Sequence, residues 1–398
     1  MHTTDVLDTC LPELCQTMHA SRYVAVKAAV SSALAERCVS VTGLGRGVGS
    51  RILEKYNIKR MDRLIGNPRL LGEAALVYGE MTSWLVSSST RPHILVDWSP
   101  VSVDGRFHVL RASVPAEGRA LTLYEEVHER THLGSRRVQI AFLNSLAELL
   151  PSQCRPIVVT DAGFKNPWFR AVEALGWDWV GRIRGTVQIS RPNESLWIRC
   201  TSVGRLLETG RPTYLGNFLV ARSNPIECSV YGLRKPPKGR RRKTPYGNIS
   251  YSKPSKTASA REREPWLIAT SLSGGAKETK AVLTAYRKRM SIEENFRDTK
   301  SEYYGFGLER ARSRSAERYS VLLLVNALAV FIAWLFGKAA RSEGIDRGYQ
   351  ANTIRSRAVL SCVFLGLRVI SRGDIHMTTT KLRQIRTIFR EPELAVSA

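Results

Sequence analysis

Residues 93–99 (HILVDWS), 107–114 (FHVLRASV) and 120–127 (ALTLYEEV) read as three successive strands. A helix follows over 136–150, and 156–160 (PIVVT) is a buried strand that ends at Asp161. Each strand run is rich in β-branched and aromatic residues. A helix over 167–175 and a strand over 177–183 continue the alternation.

Three adjacent strands, a helix, then another strand beside the first is the order of a ribonuclease-H-like α/β core, so the expected fold class is α/β. In that reading Asp97 closes one strand and Asp161 another. Carboxylates at neighbouring strand ends are positioned to share a divalent cation, because Mg²⁺ takes a few carboxylate oxygens plus water and substrate phosphate. A single strand-end Asp more often caps a turn or helix.

Outward from this core, residues 1–75 read as helical and basic. Within 39–71 a short Thr/Gly turn separates helical segments, the last of which carries Lys59, Arg60 and Arg63. The spacing is that of a helix-turn-helix, or of a small helical domain with a solvated basic face. Gly43, Gly45, Gly47 and Gly49 alternate strictly and match neither GxGxxG nor a P-loop, so no nucleotide cofactor is implied. Residues 186–265 hold short β-like pieces and a loop with seven basic residues between Arg234 and Lys243. That loop is either a solvated charge run or a phosphate contact. Helices resume near 276, with an apolar one over 318–337 and another near 352–371. The apolar run 321–336 is interrupted by Asn326 and falls short of the roughly 20 residues that cross a bilayer. It reads as a buried helix.

The chain has 398 residues, with 60 Lys plus Arg against 35 Asp plus Glu and a formal net charge of +25. At 43% hydrophobic it can bury a core, which excludes a disordered basic tail. Such an excess of positive charge points to a polyanionic partner, nucleic acid or an anionic membrane. Seven scattered cysteines without a CxxC pair suggest neither a disulfide framework nor a zinc module, and hence a reducing, cytosolic setting. The N-terminus has no basic start followed by an apolar stretch, so no secretory signal is expected.

Residues 281–305 (AVLTAYRKRMSIEENFRDTKSEYYG) read as one helix. Tyr286, Arg289, Glu293 and Lys300 stand at i, i+3, i+7 and i+14 and so line one face. Arg289 and Glu293 also have the spacing of an ordinary surface ion pair. The stretches LVDWS, LRASV, LTLYE, VTDAGFKNPW, GWDWVGRIRG, PWLIATSL and above all YRKRMSIEENFRDTK resemble the cut-and-paste DDE transposases of bacterial insertion sequences. Within these the chain resembles the insertion sequence four family, which includes the transposon ten enzyme. The likeness runs from NIKRMDRLIGN to YQANTIRSRAVLS, and the family's Y-x2-R-x3-E-x6-K signature is matched in full.

The resemblance implies that Asp97, Asp161 and Glu293 are the catalytic, metal-binding triad, holding two Mg²⁺ ions for which Mn²⁺ can substitute. Tyr286, Arg289 and Lys300 would contact phosphates, Trp266 would stack on a nucleotide flipped from the element's end, and Arg182 and Arg184 would be further DNA contacts. Read without the family, Trp266 is an ordinary core residue. The resemblance also implies a ribonuclease-H-like core interrupted by a β-rich insertion. The parts would be a helical DNA-binding domain at 1–75, core segments at 76–185 and 266–310, the insertion at 186–265, and a helical C-terminal region at 311–398. The expected partners are transposon-end and target double-stranded DNA and a second copy of the chain in a synaptic homodimer, with no membrane. The expected location is the cytoplasm, on the nucleoid. The expected chemistry is strand cleavage, a hairpin intermediate and strand transfer; a catalytically inactive, transposase-derived DNA-binding protein is the alternative. His128, Glu129 and His132 spell the zincin HExxH, but they follow a strand and meet Gly134, which leaves no helix to carry them. Tyr303 and Tyr304 suggest a tyrosine recombinase, for which the Arg and His partners are not apparent.

Overall fold

The computed structural model describes residues 3–86, 90–236, 247–253, 255–257, 260, 264–303 and 305–390, with side chains described for all of these except 3–6, 379 and 386–390. Two compact units emerge: Met1–Arg155 with Met290–Ala398, and Pro156–Arg289.

In chain order the first unit opens with α1 (Thr3–Leu14), α2 (Ala20–Glu36), α3 (Val41–Arg46), α4 (Glu54–Ile65) and α5 (Pro68–Val86), the last running through residue 75. The Thr/Gly stretch expected to be a turn is instead the helix α3. It is capped by Ser40, whose hydroxyl accepts from the Gly43 amide at 3.1 Å. Glycine is there for closeness, since a Cβ on Gly45 would lie 2.4 Å from Ile58 Cα and one on Gly43 2.4 Å from Cys38 Sγ. The break before α4 therefore falls at 47–53.

Next come β1 (His93–Pro100), β2 (Phe107–Ala116) and β3 (Arg119–Glu129), an antiparallel meander in the order β3-β2-β1, and α6 (Arg136–Leu149). Asp97 does not close β1, as the sequence suggests. The ladder continues through Trp98, Ser99 and Pro100, opposite Leu110, Val109 and His108, because β2 is long enough to pair with them. Asp97 faces Arg111, which in turn faces Glu125. Side chains alternate along a strand, so Asp97, Ser99, Arg111 and Glu125 share one face.

The second unit comprises β4 (Ile157–Thr160), α7 (Asn166–Ala174), β5 (Asp178–Ile183), β6 (Gln188–Ser190), β7 (Ile198–Arg199), α8 (Cys200–Arg205), β8 (Thr213–Val220), β9 (Ile226–Leu233), β10 (Trp266–Thr270) and α9 (Thr279–Lys288). Its strands run β4-β5-β10-β9-β8-β6-β7, with β4 and β5 parallel and the remaining described pairs antiparallel. The β-rich stretch continues the sheet, because β9 pairs with β10 along Trp266–Thr270. Residues 237–246 of the basic loop, with Arg240, Arg241 and Arg242, lie outside the described residues.

The first unit resumes with α10 (Met290–Lys300), packed on β1–β3, then α11 (Ala316–Ser342), α12 (Cys362–Arg372) and α13 (Thr379–Arg390). Helix α11 is the one helix among the described residues long and apolar enough to cross a membrane, and 94% of its most apolar window is buried inside the protein. Its neighbours are α2, α5, α12 and β3. The helix expected near 352–371 starts only at Cys362. Before it, the Gln350 side chain bonds the carbonyls of Ile354 and Arg357 and the amide of Val359, holding a non-helical loop. Ser361 then caps α12 by accepting from the Phe364 amide at 3.2 Å.

Helices α11 and α12 meet backbone to backbone. A Cβ on Gly366 would lie 1.6 Å from the Ala333 carbonyl oxygen, and one on Gly337 1.9 Å from that of Cys362. Gly366→Ala must therefore push the helices apart, and a loss of about 1–3 kcal/mol or more is expected in urea unfolding. An unchanged midpoint would show that the contact is soft.

Candidate active site

In the first unit, Asp97 Oδ1 accepts a 2.8 Å hydrogen bond from the Trp98 amide, which orients the carboxylate on the face of β1 that α10 covers. On that same face Lys300 Nζ donates to Ser99 Oγ at 3.0 Å. Burial pushes the Lys300 ammonium below its ordinary pKa, opposed by Glu309 and reinforced by Arg111. Glu293, in the first turn of α10, is exposed. Its neighbour Glu294 is engaged by Arg297 and lies 3.9 Å from Arg119. The segment expected as one helix is divided at Arg289 into α9 and α10, so Tyr286 and Arg289 belong to the second unit, and Glu293 and Lys300 to the first.

In the second unit, Asp161 follows the last residue of β4, and its Oδ1 accepts from the Gly163 amide at 2.7 Å. A Cβ on Gly163 would stand 2.9 Å from that oxygen, so glycine leaves room for the carboxylate to seat on the turn. Tyr286 is buried and meets Trp266 edge to face, with ring centroids 5.0 Å apart. Burial raises the Tyr286 pKa; Arg289 and Arg182 oppose this and Asp161 adds to it. The phenol therefore stays protonated at neutral pH and can donate. The Arg289 guanidinium lies 5.7 Å from the Tyr286 ring centroid, and the Lys235 ammonium 3.2 Å from that of Trp266.

Trp266 is only partly buried, unlike the enclosed Trp84, Trp168 and Trp179. Arg184 is paired with Glu264 at 2.6 Å, Arg182 lies 3.9 Å from the same carboxylate, and the Gly185 amide donates to it. A phosphate at Arg184 would have to displace that carboxylate.

A family model of the transposase DDE domain matches residues 88–332. The chain belongs to the DDE transposase family. A comparison with curated protein sequences gives no match. The matched stretch of this DDE transposase begins just before β1, ends within α11, and contains Asp97, Asp161 and Glu293.

Enzymes of this family use divalent metal ions. Taken one at a time, Asp97, Asp161 and Glu293 suit a hard cation in kind: each is a carboxylate at a partly or fully exposed position, and Asp97 and Asp161 are oriented by backbone amides. Among the described residues, no group of three or more His, Cys, Asp or Glu side chains is gathered so as to hold a metal ion. HExxH gives no zinc site either. His128 and Glu129 end β3, and residues Arg130–His132 form one short 3₁₀ turn. His128 Nε2 is 2.8 Å from Glu126 Oε2.

Sequence reading passed over Arg111 and Glu125. Their signal is a charged residue inside each of two adjacent apolar strands, with opposite signs in the same register. In the transposase they form a buried ion pair. In the N-terminal region, Lys59 and Arg63 are exposed on α4, and Ile52, Leu53 and Tyr56 are exposed at its start.

Proposed function

We propose that this transposase is a cut-and-paste enzyme of the insertion sequence four family, which excises a DNA element and inserts it elsewhere. Water attacks the phosphodiester at the element's end and frees a 3′-OH. This hydroxyl attacks the opposite strand, giving a hairpin on the element and releasing flanking DNA. A second water opens the hairpin, and the restored 3′-OH attacks target DNA.

Asp97, Asp161 and Glu293 hold two Mg²⁺ ions, with Mn²⁺ as a substitute. When bound, the ions activate the attacking oxygen and stabilise charge on the leaving one. Arg289 and Lys300 supply charge to phosphates beside the scissile bond, and Tyr286 a hydrogen bond. Trp266 receives the flipped nucleotide, with Tyr286 bracing the indole from behind, while Arg182 and Arg184 contact the backbone. The exposed basic and apolar residues of α4 suit a DNA groove, and two copies act together at the paired ends.

The observation that carries this reading is that one family match spans all three carboxylates and the whole of the Tyr286–Lys300 signature. The test is incubation of the purified chain with DNA bearing the flanks of its gene and Mg²⁺. Nicks at the element ends that disappear with chelator are expected; end binding without cleavage would favour the inactive, DNA-binding alternative.

The placement of Trp266 sharpens one expectation. Trp266→Ala should cost less stability than the roughly 3–5 kcal/mol lost with a fully buried tryptophan. First-strand nicking should survive while hairpins fail to accumulate, because base stacking contributes about 1–3 kcal/mol only once the base is flipped. Equal loss of both steps together with a lowered melting temperature would make Trp266 structural.

A further inference from the structure

Arg111, on β2, is fully buried and bonds both β3 and α10, in a network that extends to α5 and α11. Its Nε donates to Glu125 Oε2 on β3 at 2.7 Å, and its Nη2 lies 2.6 Å from the same oxygen in a charge contact. The other carboxylate oxygen accepts from the Tyr78 hydroxyl of α5 at 2.8 Å. Arg111 Nη1 reaches across to α10, donating to Asn295 Oδ1 and, at 3.3 Å, to Thr299 Oγ1. The guanidinium also lies 4.9 Å from the Phe296 ring centroid. Asn295 Nδ2 donates to the Ala120 carbonyl of β3 at 2.9 Å, and Asn326 Nδ2 of α11 donates to Thr299 Oγ1 at 3.2 Å.

Arg111 is also the cross-strand partner of Asp97. Asn295 stands two residues after Glu293, and Thr299 immediately before Lys300. One guanidinium on β2, the strand paired with the one that carries Asp97, is thus bonded to the helix that carries Glu293 and Lys300. A planar fork with fixed donor directions sets rotation and height together, which a flexible ammonium cannot do. A ligand set displaced by a fraction of an ångström loses metal affinity before it loses its fold.

We infer that Arg111, with Glu125 and Asn295 as its two anchors, is a positioning residue that fixes Glu293 relative to Asp97 for metal binding. This rests on the carboxylate reading proposed above. Arg111 touches neither metal nor DNA in this role; it acts through α10.

The test is Arg111→Met with Glu125→Met in the full-length chain. This pair of substitutions removes both buried charges, so no lone charge is left to unfold the protein. Mn²⁺ binding is read by electron paramagnetic resonance, beside end-DNA binding, a thermal melt and the Mn²⁺ concentration for half-maximal nicking. A melt lowered by only a few degrees is expected, since the Tyr78 hydroxyl loses its acceptor but no lone charge is left, with end-DNA affinity within about twofold and Mn²⁺ affinity about tenfold weaker or more, the nicking requirement rising in parallel. Unchanged Mn²⁺ binding and nicking in a folded double variant would overturn the inference and leave the network purely structural. Should the pair fail to fold, Asn295→Ala removes one of the two bonds to the helix, leaving that to Thr299, while keeping the Arg111–Glu125 pair, and a weakening of Mn²⁺ binding is required of it too. Asp97→Ala and Glu293→Ala run alongside. If these also bind Mn²⁺ like the parent, the carboxylate reading itself fails and the role of Arg111 falls with it; if they lose Mn²⁺ and the Arg111 variants do not, Arg111 alone is wrongly assigned.

Discussion

Glu125→Ala is expected to lower the unfolding free energy by about 3–5 kcal/mol, because it strands the Arg111 guanidinium without its counter-charge. The side chains are 0% and 1% exposed, so water cannot step in for the missing carboxylate. Tyr78 loses its acceptor as well. Burial, with the Glu125 charge adding to it, holds that phenol well above its ordinary pKa, so it remains a donor in need of a partner. Exposed pairs give the contrast: Arg106 with Glu129 and Arg211 with Glu208 are about half exposed or more, and breaking either should cost no more than about 1 kcal/mol. Urea unfolding followed by circular dichroism reads both. A loss below about 1 kcal/mol for Glu125→Ala would mean that the pair is hydrated and the network loose.

Asp97→Ala, Asp161→Ala and Glu293→Ala are each expected to abolish cleavage of end-containing DNA while leaving end binding within a few-fold of the parent. Metal-derived charge stabilisation contributes several kcal/mol to such reactions, and at about 1.4 kcal/mol per tenfold this is a loss of roughly 10³ or more. Glu294→Ala should be mild, because that carboxylate is engaged at the surface by Arg297, with a longer contact to Arg119, and such pairs contribute little. A gel assay of nicking beside a binding titration separates these outcomes. An inactive Glu294→Ala with an active Glu293→Ala would shift the assignment by one residue along α10.

Strands β1–β5 and the helices between them stood plainly in the sequence, because runs such as HILVDWS and PIVVT pack apolar, β-branched and aromatic residues at strand length. Where β1 stops was not legible. The ladder beyond Asp97 is fixed by the length of β2, which the residues of β1 do not encode. The glycines of α3 were misread for a similar reason: glycine disfavours helix locally, and only the approach of Ile58 and Cys38 shows why it is needed there. Residues 352–361 carry no strong breaker, and the loop is held by side chains that precede it, Gln350 with Arg341 and Arg347. At the site, Asp161 and the turn that seats it are written together in TDAG, whereas the bond from Arg111 to α10 joins residues 184 positions apart and leaves no mark in the sequence.

The most direct measurement replaces Mg²⁺ with Fe²⁺ in the protein bound to end DNA and adds ascorbate and peroxide, so that radicals released at the bound ion cut the polypeptide beside it. Fragments ending near residues 97, 161 and 293 are expected, suppressed by excess Mg²⁺ and by Glu293→Ala. Cuts confined to the neighbourhood of His128 and His132, or absent from any one of the three carboxylate segments, would contradict the assignment of Asp97, Asp161 and Glu293 as one metal-binding triad.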